Sequence, residues 1–178
     1  MKIHGYYAVG AHCFDTVSTD AGPDANTRLV FFITLGISDM RVLPEGTIWP
    51  ELARAVVEEC TGMRTVIAFL EGRAQAERLA HGVNALMGEG FARTHHGCVS
   101  KEQRVEAEQQ LRSGQLRLLC ATSSMELGID VGEVDKVVQI GCPGTVSGAL
   151  QRLGRAGHNP GRVSVMRLFP RTAAEALS

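Results

Sequence analysis

The chain has 178 residues, enough for one domain with a sizeable buried core. Apolar residues make up 44% and charged residues 21%, a balance that argues against disorder throughout. The net charge of −1 does not indicate a protein that binds polyanions over its whole surface. The charge is uneven, however, because residues 152–171 hold five arginines and no acid. One local surface late in the chain could therefore meet phosphate groups.

The cysteines and the apolar runs limit where the protein works. The five cysteines include no CxxC pair, so free thiols in a reducing cytosol are a better interpretation than a disulfide framework or a zinc knuckle. The longest apolar run, 29–35, is far shorter than the roughly 18 residues that cross a membrane. No charged start leads into an apolar stretch as in a secretion signal. We therefore expect a cytoplasmic protein with no membrane partner.

The N-terminal part of the chain has a weak pattern. Residues 1–27 show no sustained periodicity and contain a turn-rich stretch. A strand is predicted at 28–37 because this run is almost wholly apolar. We expect residues 1–46 to be an N-terminal extension or linker and residues 47–178 to form the folded domain.

Short apolar strands alternate with helices in the rest of the chain. In the first of these helices, Pro50 suits the first turn and Gly62 suits the stop. The predicted strands cover 64–70, 91–96, 115–122, 135–141 and 161–169. The predicted helical segments cover 47–62, 72–88, 100–114, 123–128, 145–157 and 172–177. This alternation predicts an α/β fold, a three-layer parallel sheet with helices on both faces.

Unusual residues fall where the predicted strands end. In open parallel sheets, ligands sit beyond the carboxyl ends of the strands. Four such ends carry candidate residues, at 70–73, 95–97, 121–123 and 141–143. Arg73 at the first of them could reach a phosphate, or it could be solvated like most surface arginines.

The stretch ATSSMELGID, residues 121–130, ends a strand in small hydroxyl side chains. Backbone N–H groups that follow Thr122 and Ser123 and open onto a helix are suited to phosphate. Gly128 and Asp130 come next, and the Asp130 carboxylate could accept hydrogen bonds from ribose hydroxyls. An equally good interpretation is that Thr122 and Ser123 only cap the turn and that Asp130 ends it.

The stretch HHGCVSKEQR, residues 95–104, follows another predicted strand. His95 and His96 are adjacent on a strand, so they point to opposite faces and cannot readily ligate one metal ion. We therefore expect no metal site. Gly97 allows a ligand to approach the backbone closely, and Ser100 caps the next helix and could also touch phosphate.

The stretch QRLGRAGH, residues 151–158, sets Arg152 and Arg155 one helical turn apart, so both guanidinium groups are predicted to leave the same face. Arginine binds phosphate bidentately and keeps its charge at any working pH. Two glycines within the stretch thin the surface, so a large ligand can approach. The alternative is a structural pairing of these arginines with Glu126 or Asp130.

Two motifs of a complete nucleotide hydrolase are missing. None of the three lysines follows a glycine, so the chain has no GxxxxGK[ST] phosphate loop. It also has no acidic pair at a strand end that could hold a metal ion. By itself the chain cannot assemble a complete ATPase site.

In this order and with these gaps, HHGCVSKEQR, ATSSMELGID and QRLGRAGH resemble the second RecA-like lobe of superfamily 2 helicases of the DEAD/DEAH type. Within that group, the stretches TIWPELA, AERLAHGVNAL and DKVVQIGCPGTVSGALQRLGRAGH most resemble the large helicase-related (Lhr) branch. The resemblance covers roughly residues 47–178. It implies that ATP lies between this lobe and an N-terminal RecA-like lobe, which carries the Walker A and DExH/DEAD motifs and holds Mg²⁺.

The resemblance implies a role for each matching residue at the nucleotide. Arg155 matches the arginine finger that reaches the γ-phosphate, a contact that raises the rate by about 10³–10⁵. Arg152 matches the arginine that couples this motif to the acidic residues of the partner lobe, and Gln151 is its polar companion. Gly128 and Asp130 match the motif that lies against the nucleotide.

The eighth residue of the last motif departs from the common pattern. It is His158, where many DEAD-box relatives carry a second phosphate-facing arginine. His158 agrees with the Lhr-like branch, in which it would also lie at the ATP.

The resemblance implies that a second set of matching residues faces a nucleic-acid backbone. It comprises Arg73, Gly97, Ser100, Thr122 and Ser123, although FLEGR, which contains Arg73, is a loose version of the usual motif. Contacts to the backbone position a strand without reading its sequence, which suits a translocating motor. The expected partner is single-stranded or duplex DNA or RNA.

The leading hypothesis is therefore the C-terminal lobe of an ATP-dependent nucleic-acid helicase, which supplies the arginine finger and half of the groove for the backbone. Alone it should be inactive as an ATPase. The alternative is a non-catalytic module that binds nucleic acid or a partner protein. A small-molecule α/β enzyme is a third interpretation, but the nearest glycine cluster, GEGFAR, lacks the third glycine of a dinucleotide fingerprint.

Overall fold

The computed structural model describes residues 2–5, 15–19, 29–33, 47–122, 131, 134–156 and 164–171. The described strands are β1 (Lys2–Gly5), β2 (Asp15–Thr19), β3 (Leu29–Ile33), β4 (Val66–Leu70), β5 (Ala92–His95), β6 (Leu118–Thr122), β7 (Lys136–Ile140) and β8 (Ser164–Phe169). The described helices are α1 (Trp49–Cys60), α2 (Arg73–Met87), α3 (Lys101–Ser113) and α4 (Val146–Leu153).

The described strands form one sheet in the order β1-β2-β3-β8-β7-β4-β6-β5. The six strands from β3 to β5 in this order run parallel. Five of them belong to residues 47–178, and they place the carboxyl ends of β4, β5, β6, β7 and β8 at one edge of the sheet.

Strand β4 lies in the middle of the parallel region and is buried over its whole length. Because side chains alternate along a strand, Val66, Ala68 and Leu70 pack with α1 and α2 on one face of the sheet. Ile67 and Phe69 pack on the other face, in the cluster to which α3 and α4 contribute. The three-layer α/β fold that the sequence predicts is therefore confirmed.

The helices begin and end at residues whose side chains or backbone conformations suit helix ends. Pro50 lies in the first turn of α1, and Gly62 follows its end with φ +76°, a conformation that glycine adopts without strain. The Oγ atom of Ser100 accepts a hydrogen bond from the backbone N–H of Gln103 at 3.2 Å, which caps α3. These predicted boundaries are confirmed.

The N-terminal strands are the main difference from the predicted sheet. Strand β3 falls within the predicted strand at 28–37 and pairs in parallel with β8. Strands β1 and β2 were not predicted, and they extend the sheet with antiparallel pairs. Strands of four and five residues between turn-forming stretches carry too little periodicity to be recognised. The division of the chain at residue 46 stays a prediction.

Candidate functional site

The carboxyl edge of the parallel strands brings several of the predicted site residues together. Arg73 is the first residue of α2 and directly follows β4 across a short turn. Its side chain is exposed, and its Nη1 atom donates to the Sγ atom of Cys98 at 3.0 Å. The start of α2 therefore touches the loop that follows β5, although β6 separates β4 from β5 in the sheet.

The loop after β5 holds two further predicted residues, Gly97 and Ser100. Gly97 is exposed, and a Cβ atom built on it would meet no described atom within 4 Å. No described residue therefore blocks a ligand from approaching the backbone at this glycine. Ser100 is exposed and accepts the hydrogen bond that caps α3, and a hydroxyl that accepts one hydrogen bond can also donate one.

The two adjacent histidines point to opposite faces, as predicted. His95 Nε2 lies 2.7 Å from Glu108 Oε1 on α3, and His96 Nε2 lies 2.7 Å from Glu77 Oε1 on α2. Each histidine thus ties β5 to a helix on its own side of the sheet. Among the described residues, no group of three or more His, Cys, Asp and Glu side chains could hold a metal ion.

The surroundings of His95 shift its pKa. Burial lowers the pKa of His95 below its usual value of 6.5, and the charge of Arg104 acts in the same direction. The hydrogen bond and the charge of Glu108 oppose this shift. His95 is therefore held as a neutral side chain inside the lobe, which favours a structural role.

Arg152 and Arg155 do not form the exposed two-arginine face that their spacing predicts. Arg152 is only 5% exposed, its Nη1 atom donates to Oε1 of Gln139, and its guanidinium lies 5.5 Å from the centre of the Phe69 ring. Helix α4 ends at Leu153, so Arg155 stands in the turn beyond it and is half-buried. The helical periodicity on which the prediction rested does not extend to the second arginine.

The turn that carries Arg155 is held by its backbone. Its N–H donates to the carbonyl of Arg152 at 3.1 Å, and its carbonyl accepts from the N–H of Val134 at 3.2 Å. Ala156 then forms a parallel bridge with Val134. This turn is therefore anchored to the segment that leads into β7.

The remaining predicted site residues have different surroundings. Gln151 is exposed on α4, one residue before the buried arginine. Thr122 ends β6 and is buried, with 7% of its surface exposed. Ser123, Gly128, Asp130 and His158 lie outside the described residues, so the structure does not place them.

Several residues at the same edge were missed by the sequence analysis. Gln139 is fully buried, and its Nε2 atom donates to the carbonyls of Ile140 and Gly141 at 3.1 and 3.2 Å. Glu71 and Arg171 form an ion pair of 2.7 Å between the ends of β4 and β8. The sequence carried a signal for this pair, because Glu71 directly follows one predicted strand and Arg171 comes two residues after another.

An open cavity of about 780 Å³ lies beside β5, the strand at the end of the sheet. Its lining includes Glu77, Thr94, His96, Cys98 and Gln103. The cavity thus adjoins the loop that carries Gly97 and Ser100. No helix among the described residues is long and apolar enough to cross a membrane.

Comparisons with known proteins show which family this chain is similar to. The helicase conserved C-terminal domain family matches residues 51–159. The Lhr helicase/uracil glycosylase of Escherichia coli is 40% identical over 84% of this chain, which spans 12% of that relative. The ATP-dependent helicase Lhr-Core of Methanocaldococcus jannaschii is 39% identical over 60% of this chain, again across 12% of its own length.

A solved structure of an Lhr helicase has the same fold as this chain. The structure of Mycobacterium smegmatis helicase Lhr bound to ssDNA and AMP-PNP matches with a TM-score of 0.75 and 41% sequence identity. The match covers 82% of this chain and 20% of that one. This chain therefore corresponds to a small part of much longer proteins.

Proposed function

Since the chain belongs to the helicase conserved C-terminal domain family, in its Lhr branch, we propose that it is the C-terminal RecA-like lobe of an ATP-dependent helicase. In this role it binds a nucleic-acid backbone along the carboxyl edge of its sheet. It also supplies an arginine finger to ATP that is bound by an N-terminal RecA-like lobe. The relatives named as ATP-dependent helicases, and the Lhr structure bound to ssDNA and AMP-PNP, support this assignment.

The placement of Arg73 beside the loop 97–100 is the observation that carries the proposal for the nucleic acid. An exposed guanidinium, an open glycine surface and an exposed hydroxyl lie together at the start of α2 and α3. A guanidinium and a hydroxyl both donate hydrogen bonds to phosphate oxygens. Contacts to phosphate carry no base-edge readout, which suits a motor that moves along a strand.

The anchored turn after α4 supports the proposal for the nucleotide. Arg155 stands on that turn with a half-buried side chain, and a guanidinium on a fixed backbone can be held ready for a phosphate. ATP is the substrate of the proposed reaction, and Arg155 would stabilise the charge that develops on its γ-phosphate. We assign the Mg²⁺ that accompanies ATP to the N-terminal lobe, together with the Walker A and DExH/DEAD motifs.

Arg152 has a different part in this proposal. Its guanidinium is bonded to Gln139, so its first role is to hold α4 and the following turn against β7. The coupling of Arg152 to acidic residues of the N-terminal lobe would use guanidinium N–H groups other than the one that donates to Gln139. That coupling is a prediction from the resemblance.

A binding measurement tests the proposal for the nucleic acid. The full 178-residue chain is titrated into fluorescein-labelled oligo-dT, and fluorescence anisotropy is followed at several salt concentrations. Arg73→Ala should weaken binding and lower the slope of log affinity against log salt by about 0.7, the value for one lost phosphate contact on a single strand.

Arg78→Ala is the matched control for this measurement. It removes the same charge from the same helix, but Arg78 lies over the ring of Trp49, 5.5 Å from its centre, away from the loop 97–100. We expect this variant to bind nearly as the wild type does. Equal losses in both variants, or no measurable binding by the wild type, would contradict the proposal.

A further inference from the structure

A closed set of contacts joins the start of α2 to the loop after β5. Arg73 and Glu77 lie one turn apart on α2, so their side chains leave the same side of the helix. Glu77 Oε1 accepts hydrogen bonds from Thr94 Oγ1 at 3.1 Å and from His96 Nε2 at 2.7 Å. One carboxylate oxygen thus contacts Thr94 within β5 and His96 directly after that strand.

His96 continues these contacts into the loop. Its side chain is buried, with 6% of its surface exposed, and its Nδ1 atom accepts from the backbone N–H of Cys98 at 3.3 Å. A neutral imidazole has one donor and one acceptor nitrogen. Donation from Nε2 to Glu77 and acceptance by Nδ1 therefore require one tautomer, and that tautomer satisfies both contacts.

The last contact returns to α2, because Arg73 Nη1 donates to the Sγ atom of Cys98 at 3.0 Å. The path therefore runs from Glu77 through His96 and Cys98 to Arg73, which stands one turn before Glu77. Gly97 lies inside the part of the loop that this path encloses. The path fixes the distance between the exposed guanidinium and the open backbone beside it.

We infer that Glu77 and His96 are positioning residues, which hold Arg73 and the loop 97–100 in the one arrangement that receives a nucleic-acid backbone. This inference rests on the proposed function, since it concerns the same nucleic-acid contact. A loop ordered before binding loses less conformational freedom when the strand arrives, so ordering raises affinity without adding a contact to the strand.

The negative charge of Glu77, taken alone, would weaken the binding of the strand, whereas positioning would strengthen it. A carboxylate beside a phosphate-binding edge repels the strand, so its removal would strengthen binding if nothing else changed. Positioning requires that Glu77→Ala weakens binding. Glu77→Gln keeps an oxygen that accepts from His96 and from Thr94, so this variant should bind at least as well as the wild type.

The test measures oligo-dT affinity by anisotropy for the full chain. We expect His96→Ala and Glu77→Ala each to weaken binding about three- to tenfold, as for residues coupled to a contact residue. Glu89→Ala is the control, because Glu89 lines the same cavity outside the path and its loss should only strengthen binding slightly. Stronger binding by Glu77→Ala would overturn the inference.

A double-mutant cycle separates positioning from loss of stability. If His96 acts through Arg73 and the loop, adding His96→Ala to Arg73→Ala should weaken binding much less than His96→Ala does in the wild type. A merely structural histidine would give losses that multiply. Full multiplication of the two losses would therefore contradict a positioning role.

Hydrogen exchange at the Cys98 amide tests the path without any nucleic acid. This N–H donates to His96, so His96→Ala should speed its exchange while the amides of β6 keep their protection. Unchanged exchange at Cys98 would overturn the inference even if the strand binds. Faster exchange in a chain that binds no strand would keep the path but refute the proposed function, and with it the positioning role.

Discussion

Arg152 on α4 and Gln139 on β7 are joined inside the lobe, where Arg152 Nη1 donates to Gln139 Oε1. Gln139 also bonds to the backbone, because its Nε2 atom donates to the carbonyls of Ile140 and Gly141 at the carboxyl end of β7. The guanidinium also lies over Phe69 of β4. One arginine of the QRLGRAGH stretch therefore fastens α4 to two central strands, and the turn with Arg155 follows directly.

Arg152→Ala should lower the free energy of unfolding by about 2–4 kcal/mol, because it leaves a buried acceptor on Gln139 without its charged donor. Gln151→Ala changes an exposed neighbour on the same helix and should stay within about 0.5 kcal/mol of the wild type. Urea unfolding followed by circular dichroism measures both. Equal stability of the two variants would show that the buried link contributes nothing.

Gly141→Ala should destabilise the lobe by about 1–2 kcal/mol, the penalty for a left-handed conformation in a residue with a side chain. Gly141 has φ +80°, and a Cβ atom there would come within 2.9 Å of Arg171 Nε. Gly144→Ala is the control, since Gly144 has open space around it among the described atoms and no positive φ. Urea midpoints that fall equally in both variants would contradict this account.

His95 should make the lobe less stable as the pH falls. Its pKa is lowered in the folded protein, so between the folded value and the usual 6.5 the unfolded chain binds the proton more readily. The stability that neutral His95 gives to the folded protein is therefore fully present above pH 6.5, and it is lost as the pH falls from there through the lowered pKa. Between about pH 7.5 and about pH 5.5, the wild type should lose more unfolding free energy than His95→Gln. Equal losses in urea titrations would count against the buried neutral histidine.

The thiols of the described residues should react in the order of their burial. Burial raises the pKa of Cys60 to about 11 and raises the pKa of Cys120 as well, whereas Cys98 is exposed. Since the thiolate is the reactive form, iodoacetamide at mildly alkaline pH should label Cys98 well before the two buried thiols. Peptide mass spectrometry follows each site, with urea-unfolded protein as the control. Early labelling of Cys120 would mean that the interior of the sheet opens readily.

Much of the fold could be predicted because its strands and helices have strong periodicity. The run that forms β4 is wholly apolar, as a strand covered on both faces must be, and the opposite faces of His95 and His96 follow from strand geometry. The side-chain partners could not be predicted in the same way. Gln139 resembles any polar residue in an apolar strand, and only the packing of α4 against the sheet brings Arg152 to it.

The candidate site was predicted in outline but not in its contacts. The carboxyl ends of the strands were identified, and Arg73 and the loop 97–100 meet there. Whether Arg73 and this loop come together depends on the order of the strands in the sheet, in which β6 lies between β4 and β5. A single sequence does not show strand order. Glu77 could not be identified for the same reason: it falls within the predicted helix at 72–88, and the sequence does not show that it contacts the end of β5.

The measurement that tests the central claim most directly is ATP hydrolysis in the presence of single-stranded DNA. It compares this chain alone with a two-lobe protein in which an N-terminal RecA-like lobe with Walker A and DExH/DEAD motifs precedes the chain. We expect no turnover by the chain alone and clear turnover by the two-lobe protein. In that protein, Arg155→Ala should lower kcat by about 10³-fold or more while ATP still binds. Near-wild-type turnover by the Arg155→Ala protein, or Arg155-dependent turnover by the chain alone, would contradict the assignment of Arg155 as an arginine finger that acts on a neighbouring lobe.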